Sequence, residues 1–484
     1  MAQWIYSSAR ESEAGASLLP PEAADFVASI PVVVIGGGAC GLTAALAARE
    51  AGAEVVVIER DRSALGTTAM STGLIPGAGS RFQHEADIDD GAALFTRDIL
   101  EKTHGRTDAD MAAYIAEQSG PVVEWLADRH AVPLSLVDTF RYPGHSRMRM
   151  HGTPNRTGAE LMGALHAAAE RAGVDILLEA PVSHLFAEPG GRVRGVRITR
   201  ADGQTEDIAC DALVLACCGF GGAPDMVAEL IPAIAGATFF GHPGNKGDAL
   251  RWGMALGAAA ADIQSYQGHA GLIDGQGIPL LWAHIIEGGI QVNLDGLRFA
   301  NETRGYSEQA IDVVAQPGHV AWSIYDARRH ELMLEFEDYR DAIRADCLRT
   351  AGSVSELAAI TGLPEAALAE TLAGVVAMVA GAQRDPLGRD FAGKPPLAAP
   401  YYAVKVTGAL FHTQGGLVVD REARVLRQDA APLPNLFAGG GAARGVSGPS
   451  CWGYLAGNGL VTATVLGRAA GTAAARQVLA ATAA

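Results

Sequence analysis

The chain has little of what several protein classes require. Its 484 residues carry six cysteines, only Cys217 and Cys218 are adjacent, and no CxxC or CxxCH spacing occurs. A disulfide framework, an iron–sulfur site and a haem attachment are therefore excluded, and a reducing cytoplasm fits. No run of ~18 uncharged apolar residues is present to span a bilayer. Residues 1–30 interleave Arg10, Glu11, Glu13, Pro20, Pro21 and Asp25 with apolar positions, unlike a signal peptide. Positive charge is also scarce. Lys and Arg number 37 against 54 Asp and Glu, a net charge of −17 without a basic patch, which argues against a nucleic-acid surface or an anionic membrane. No repeat of fixed period and no low-complexity tract is evident.

What is abundant is apolar surface and glycine. At 49% hydrophobic residues the chain can bury large cores, as two domains or one with an inserted piece. Its 59 glycines concentrate in loops after strand-like runs, where backbone must come close to a phosphate or a flat ring. "PVVVIGGGACGLTAALAAREAGAEVVVIER" predicts strand, tight turn, helix, strand: Val32 to Ile35 are a buried β-branched run, and Leu42 to Arg49 continue at helical spacing. Gly36, Gly38 and Gly41 supply GxGxxG at the turn. Glu59 ends the second strand, where a carboxylate accepts from ribose hydroxyls while the helix N-terminus receives a pyrophosphate. Small, hydroxyl-bearing and glycine residues then crowd "SALGTTAMSTGLIPGAGS", which suits an extended cofactor lying on Gly66, Thr67, Thr68, Ser71, Thr72 and Gly73. FAD is favoured over nicotinamide on that ground.

Two further pieces belong with this one. "GVDILLEAPVSHLFAEPGGRVRGVRITRADGQTEDIACDALVLACCGF" predicts short strands turning at Pro189-Gly190-Gly191 and Asp202-Gly203, then a buried strand from Ala212 to Ala216 leading to Gly219. "LPNLFAGGGAARG" is a third strand running into glycines. Between Tyr266 and Phe411 helical stretches, Ser353 to Ile360 and Pro364 to Gly381, with Ser353 and Thr361 as caps, alternate with short strands. The expected organisation is α/β: a Rossmann-like flavin domain from residues 30–265, an inserted α+β cap at 266–411, and the flavin domain's last part at 412–484. The alanine-rich tail after Gly471 is expected to fray. The segment "YYAVKVTGALFHTQGGLVVD" reads as two strands with a titratable ring, His412, at the break.

In this order the pieces resemble the FAD-dependent fumarate reductase, succinate dehydrogenase and 3-ketosteroid dehydrogenase superfamily, in its soluble flavoprotein branch. The resemblance runs from Val32 to Gly471. It rests on the dinucleotide fingerprint, "LVLACCGFGG", "GHPGNKGDALRWGMALGA", "LRFANE", "GAQRDPLGRDF", "YYAVKVTGALFHTQGGLVVD" and "PNLFAGGGAARGVSG". It implies hydride transfer between flavin N5 and a carbon next to an electron-withdrawing group, beneath a mobile cap. It also implies further flavin contacts at Ala39, Arg60, Val182, Ala216, Gly219, Gly247, Asp248, Gly415, Gly439, Gly440, Asn458 and Gly459. His412 falls where the fumarate reductases hold a substrate carboxylate or carbonyl, and His269 falls on their other substrate-binding histidine. Arg149, with Arg147, resembles a basic segment bordering the flavin or substrate.

The sequence departs from that pattern at informative places. The family's arginine proton donor follows an "RFVNE"-like segment by four residues; here the count reaches Tyr306, with Arg304 two positions earlier. A tyrosine beside an arginine is the expected proton-transfer group, with Tyr454 able to share the role. The segment in which fumarate reductases place a second carboxylate-binding arginine here reads "SGPSCWGYLAGNG", with Cys451, Trp452 and Tyr454 and no cation. A less charged, cyclic or aromatic-flanked enone is expected, with Trp452 among its contacts. "LGTTAMSTG" has no histidine for covalent attachment, so noncovalent FAD is expected. Gly440 replaces the family's sugar-binding glutamate. Cys217 and Cys218 are read as small buried residues. Electrons come from, or pass to, an external partner, and self-association is left open. Alternatives are a dicarboxylate reductase using Arg147, Arg149 or Arg304, a redox-neutral hydratase or isomerase, and a binding protein.

Overall fold

The computed structural model describes residues 17–483; the opening residues of the segment compared with a signal peptide lie outside them, and Ser17–Leu19 of that segment is already a strand. Unbroken runs of β-branched residues build the core of the main sheet. Strand Phe26–Ile35 lies between Val55–Ile58 and Thr205–Leu215, parallel to both, with Ile35 opposite Ile58 and Leu215. Pro432–Ala438 joins the far side of Thr205–Leu215 in parallel, and Asp175–Leu177 extends the opposite edge. The first half of Thr205–Leu215 pairs antiparallel with Val193–Thr199, so one strand serves both a parallel core and an antiparallel flap.

Val32, Val33, Val34, Val57, Leu213 and Val214 have no exposure, as continuous apolar strands covered on both faces require. Helix Ala39–Glu50 follows the glycine turn and covers the sheet. The long helix Asn458–Ala483 packs on it: a Cβ at Gly471 would sit 1.9 Å from Ala44 O, and one at Gly467 2.5 Å from Cys40 O. The alanine-rich tail, expected to fray, is instead helical through its described residues and packed as far as Val478. Ala473, Ala474, Ala475 and Val478 are buried in that helix-on-helix contact, a tertiary gain that local composition does not show.

A second, six-stranded sheet is organised on Tyr401–Thr413, which pairs antiparallel with Tyr266–Ile273, Val320–Asp326 and Arg349–Ala351 and parallel with Thr238–Phe239. It gathers strands from the expected inserted region, but it begins earlier, at Thr238, and runs two residues past Phe411. Helix Val354–Thr361 starts on Ser353, whose side chain accepts from Glu356 N, as expected. Thr361 is not a cap. It closes that helix, donating Oγ1 to Leu357 O at 2.6 Å, and Glu365–Val379 begins after Pro364.

Candidate active site

One cavity runs from the glycine turn to the end of Tyr401–Thr413. At its nucleotide end Gly36, Gly38 and Ala39 face Glu59, Arg60, Gly66, Thr67, Thr68, Ser71 and Thr72 across the opening. Glu59 is buried; one carboxylate oxygen accepts from Gly37 N at 2.8 Å and the other from Asp61 N at 3.1 Å. The helix Ala39–Glu50 has no side chain from its N-cap residue on its first turn; Ala39 N donates to Thr68 Oγ1 at 3.3 Å, and the N–H groups after it would face an anion. A Cβ on Gly38 would meet protein no closer than 3.7 Å, at Thr68 Oγ1, so the space a side chain would take is left to a ligand. Gly41 is different. Its Cβ would lie 1.8 Å from Gly36 O, so it lets helix and strand close together and does not reach the cavity. Val182, Ala216, Asp248, Gly440 and Gly459 also line it. These residues fit a dinucleotide, whose ribose would meet Glu59 and whose pyrophosphate would meet the helix start.

Seven other expected contacts do not line the cavity. Gly41, Gly73, Gly219, Gly247, Gly415 and Gly439 pack backbone on backbone or on buried side chains around it; a Cβ at Gly219 would fall 1.8 Å from Thr413 Oγ1 and one at Gly415 2.1 Å from Asp262 O. Asn458 is fully buried and donates to Ser447 instead. Cys217 and Cys218 do line the cavity, and all six thiols are free. Burial holds them protonated, Cys40 and Cys210 up to about 12.

At the other end, four expected residues and one missed residue form a run of rings in contact. Strand Tyr266–Ile273 places His269 opposite Ala409, so His269 shares a face with Phe411, two residues further along the partner strand. Their rings stack at 5.0 Å and 11°. Gly305, at φ 146°, turns the chain into helix Tyr306–Val314 and sets Tyr306 5.1 Å from His269. Tyr454, at the exit of the turn Cys451–Gly453, stands 6.2 Å from Tyr306 and 5.6 Å from His412, which is the next residue after Phe411. Two phenol rings, Tyr306 and Tyr454, thus link the His269 ring to the His412 ring.

Burial sets the charge state of these rings. It lowers His412 to about 4, and His269 to about 3 with a further push from His284. It raises Tyr306 far above the ordinary phenol range, helped by Tyr454, Tyr142 and Glu308, and raises Tyr454 as well. Two neutral imidazoles and two intact phenols thus face one compartment at neutral pH. His269 Nδ1 accepts from Gly271 N at 3.0 Å, which leaves the ring proton on Nε2.

Arg304 does not join them. It turns outward to pair with Asp312, so no guanidinium lowers the Tyr306 phenol, contrary to the expectation from their spacing. Trp452 lies against His104 at 5.0 Å and beside Arg106, outside the cavity. Arg149 is fully buried, bonding Asp90 at 2.9 Å and Asp98 at 2.6 Å, and borders neither flavin nor substrate space. Among the described residues Arg60 is the one Lys or Arg lining the cavity, and it is engaged with Gly244 O at 2.5 Å at the nucleotide end. The walls that sequence reasoning missed are Phe140, Tyr142, Phe240, Trp282, Phe411 and Asp338. Burial, with Asp341 and Glu337 nearby, lifts Asp338 to about 6. Phe411 and Gln414 flank His412 in sequence, a signal that was available; the others come from distant loops and, for Asp338, from helix Glu337–Arg344.

The fold and this site define a flavoprotein. The chain belongs to the FAD binding domain family, whose pattern matches residues 31–460. It is 29% identical over 93% of its length to a probable fumarate reductase Ifc3 of Shewanella frigidimarina, covering 75% of that protein. It is 27% identical to the 4-oxocyclohexanecarboxylate 2-dehydrogenase of Sinomonas cyclohexanicum, over 91% of this chain and 93% of that one. A 3-ketosteroid-Δ4-(5α)-dehydrogenase of Rhodococcus jostii shares the fold at TM-score 0.73, with 23% identity, 95% of this chain and 99% of that one covered. The superfamily implied by the motifs is thus the right one. The protein is an FAD-dependent oxidoreductase acting on CH–CH groups. No helix among the described residues is long and apolar enough to cross a membrane.

Proposed function

We propose that the protein exchanges a hydride between flavin N5 and the carbon β to the carbonyl of an uncharged cyclic ketone, as a dehydrogenase or ene-reductase. The observation that carries this reading is the run of rings His269, Tyr306, Tyr454 and His412 along one cavity, with no Lys or Arg of the described residues lining that end. FAD, when bound, supplies the two-electron chemistry. The imidazoles direct N–H donors at the carbonyl oxygen, where enolate charge develops; donors aimed at such charge in a dry site contribute several kcal/mol. Tyr306, with Tyr454 beside it, holds the proton exchanged at the α carbon. Phe411, Trp282 and Phe240 exclude water and offer flat apolar surface to a ring. A dicarboxylate would meet Asp338 rather than an arginine and forgo charge-assisted bonds of ~1.5–3 kcal/mol each. The relative named for 4-oxocyclohexanecarboxylate supports the cyclic ketone; its substrate carries a carboxylate, so the lack of charge rests on the cavity lining alone. The same reading treats residues 266–411 as a cap over the flavin, the FAD as noncovalent, the electron partner as a separate molecule, and the location as the cytoplasm.

Anaerobic mixing of the FAD-loaded protein with saturated cyclic ketones tests it, with enones added to the reduced protein in parallel. Bleaching of the visible flavin band by a ketone, or its recovery with an enone, is expected. Recovery with fumarate but with no uncharged enone would overturn the substrate class. A band that no substrate changes would overturn hydride transfer.

A further inference from the structure

We propose that Asp338 and Tyr142 form a subsite for a hydroxyl group of the substrate, carried on its ring away from the reacting carbonyl.

Both residues line the cavity, and each has an unmet hydrogen bond. Helix Glu337–Arg344 carries three carboxylates, of which Glu337 pairs with Arg340 and Arg344, and Asp341 with Arg344. Asp338 has no ion pair and no hydrogen bond among the described residues, and it is the one of the three that lines the cavity. Tyr142 lies between strands Ser135–Leu136 and Met150–Gly152. Its ring packs on Leu74, Val137, Met150 and Ala456, and Phe140 meets it edge-on at 5.1 Å and 77°. Its hydroxyl is buried with no partner.

The two groups are close enough to feel each other, yet they are not bonded. Burial raises the Tyr142 phenol, Arg156 opposes the rise and Asp338 adds to it. Arg156 does not line the cavity, and its guanidinium bonds Thr139 Oγ1 at 3.3 Å. A phenol proton needs an acceptor and a carboxylate needs a donor. An alcohol supplies both at one atom, because its oxygen accepts from Tyr142 while its proton goes to Asp338. A carbonyl can only accept, which leaves Asp338 unmatched, and an ammonium can only donate, which leaves the Tyr142 proton unmatched. A carboxylate would face Asp338 as a like charge. Tyr142 also acts on Tyr306, so the subsite borders the run of rings rather than the nucleotide end. That the hydroxyl belongs to a cyclic ketone rests on the hydride-transfer reading above; the match of a hydroxyl to this pair does not.

Titrating the oxidised, FAD-loaded protein with cyclohexanone and 2-decalone, and with a hydroxylated form of each, measures affinity without turnover through the perturbed flavin absorbance. At least one hydroxylated ketone should bind ~10-fold or more tighter than its parent. Asp338→Ala and Tyr142→Phe should each cut that ratio at least ~3-fold with flavin retained, and a ratio is insensitive to a general loss of affinity. Equal affinities in the wild type would mean that water serves the pair, and would overturn the proposal. So would a preference that survives either substitution, or a stronger preference for the amino analogues. A hydroxyl preference that both substitutions remove, in a protein whose flavin no ketone or enone oxidises or reduces, would uphold the subsite and overturn hydride transfer alone.

Discussion

His269 lies flat on Phe411, 5.0 Å between ring centres, while its Nδ1 accepts from Gly271 N. The imidazole is thus clamped by its face and by one nitrogen, and the other nitrogen is left for a ligand. His269→Phe should keep the stack but lose the donor, lowering turnover ~10²-fold with FAD content unchanged, and His412→Ala should do likewise. Wild-type turnover in His269→Phe would reduce His269 to packing. Steady-state rates alongside flavin absorbance of the purified variants distinguish these outcomes.

Tyr306→Phe should slow substrate-dependent flavin reduction or reoxidation by ~10²–10⁴, because the phenol faces His269 and Tyr454 in the cavity. Arg304→Ala should stay near wild type, since its guanidinium pairs with Asp312 outside. If Tyr306→Phe is fast and Tyr454→Phe slow, the proton belongs to Tyr454. Stopped-flow absorbance measures both.

Arg149→Ala leaves Asp90 and Asp98 buried without a cation and should destabilise the fold by ~3–5 kcal/mol, read from denaturant unfolding. The flavin reduction potential should not move. A shifted potential at unchanged stability would restore the flavin-bordering role expected from the sequence.

Buried histidines predict the acid limit. His145 and His151 are held near 4 by burial, against ~6.5 in an unfolded chain. Between those values the unfolded state binds more protons. Their contribution is therefore complete above ~6.5 and declines as pH falls towards about 4, and urea midpoints at pH 7 and pH 5 should differ in that direction. Equal midpoints would mean that the rings are already charged in the native protein.

What the sequence made legible was what neighbours in the chain decide. Gly36, Gly38 and Glu59 follow from one strand–turn–helix–strand unit, and the structure places all three at the cavity. The meeting of His412 with Tyr306 came through family motifs, because nothing local links residues so far apart. Arg304 misled because spacing alone cannot say which way a side chain turns; Gly305 sends the two neighbours apart. Trp452 and Arg149 are likewise claimed by His104, Arg106, Asp90 and Asp98, partners that only tertiary contact supplies. The tail looked too plain to order, yet its small residues are what allow one helix to press against another.

That contact between Gly471 and Ala44 has a consequence for how the molecule comes together. The dinucleotide fold is a clasp whose two halves arrive from opposite ends of the described chain, with the second sheet threaded between them. A fragment of residues 30–265 holds the fingerprint but lacks the bar that shuts it, so fragmentation should abolish flavin retention long before it removes any residue of the fingerprint itself.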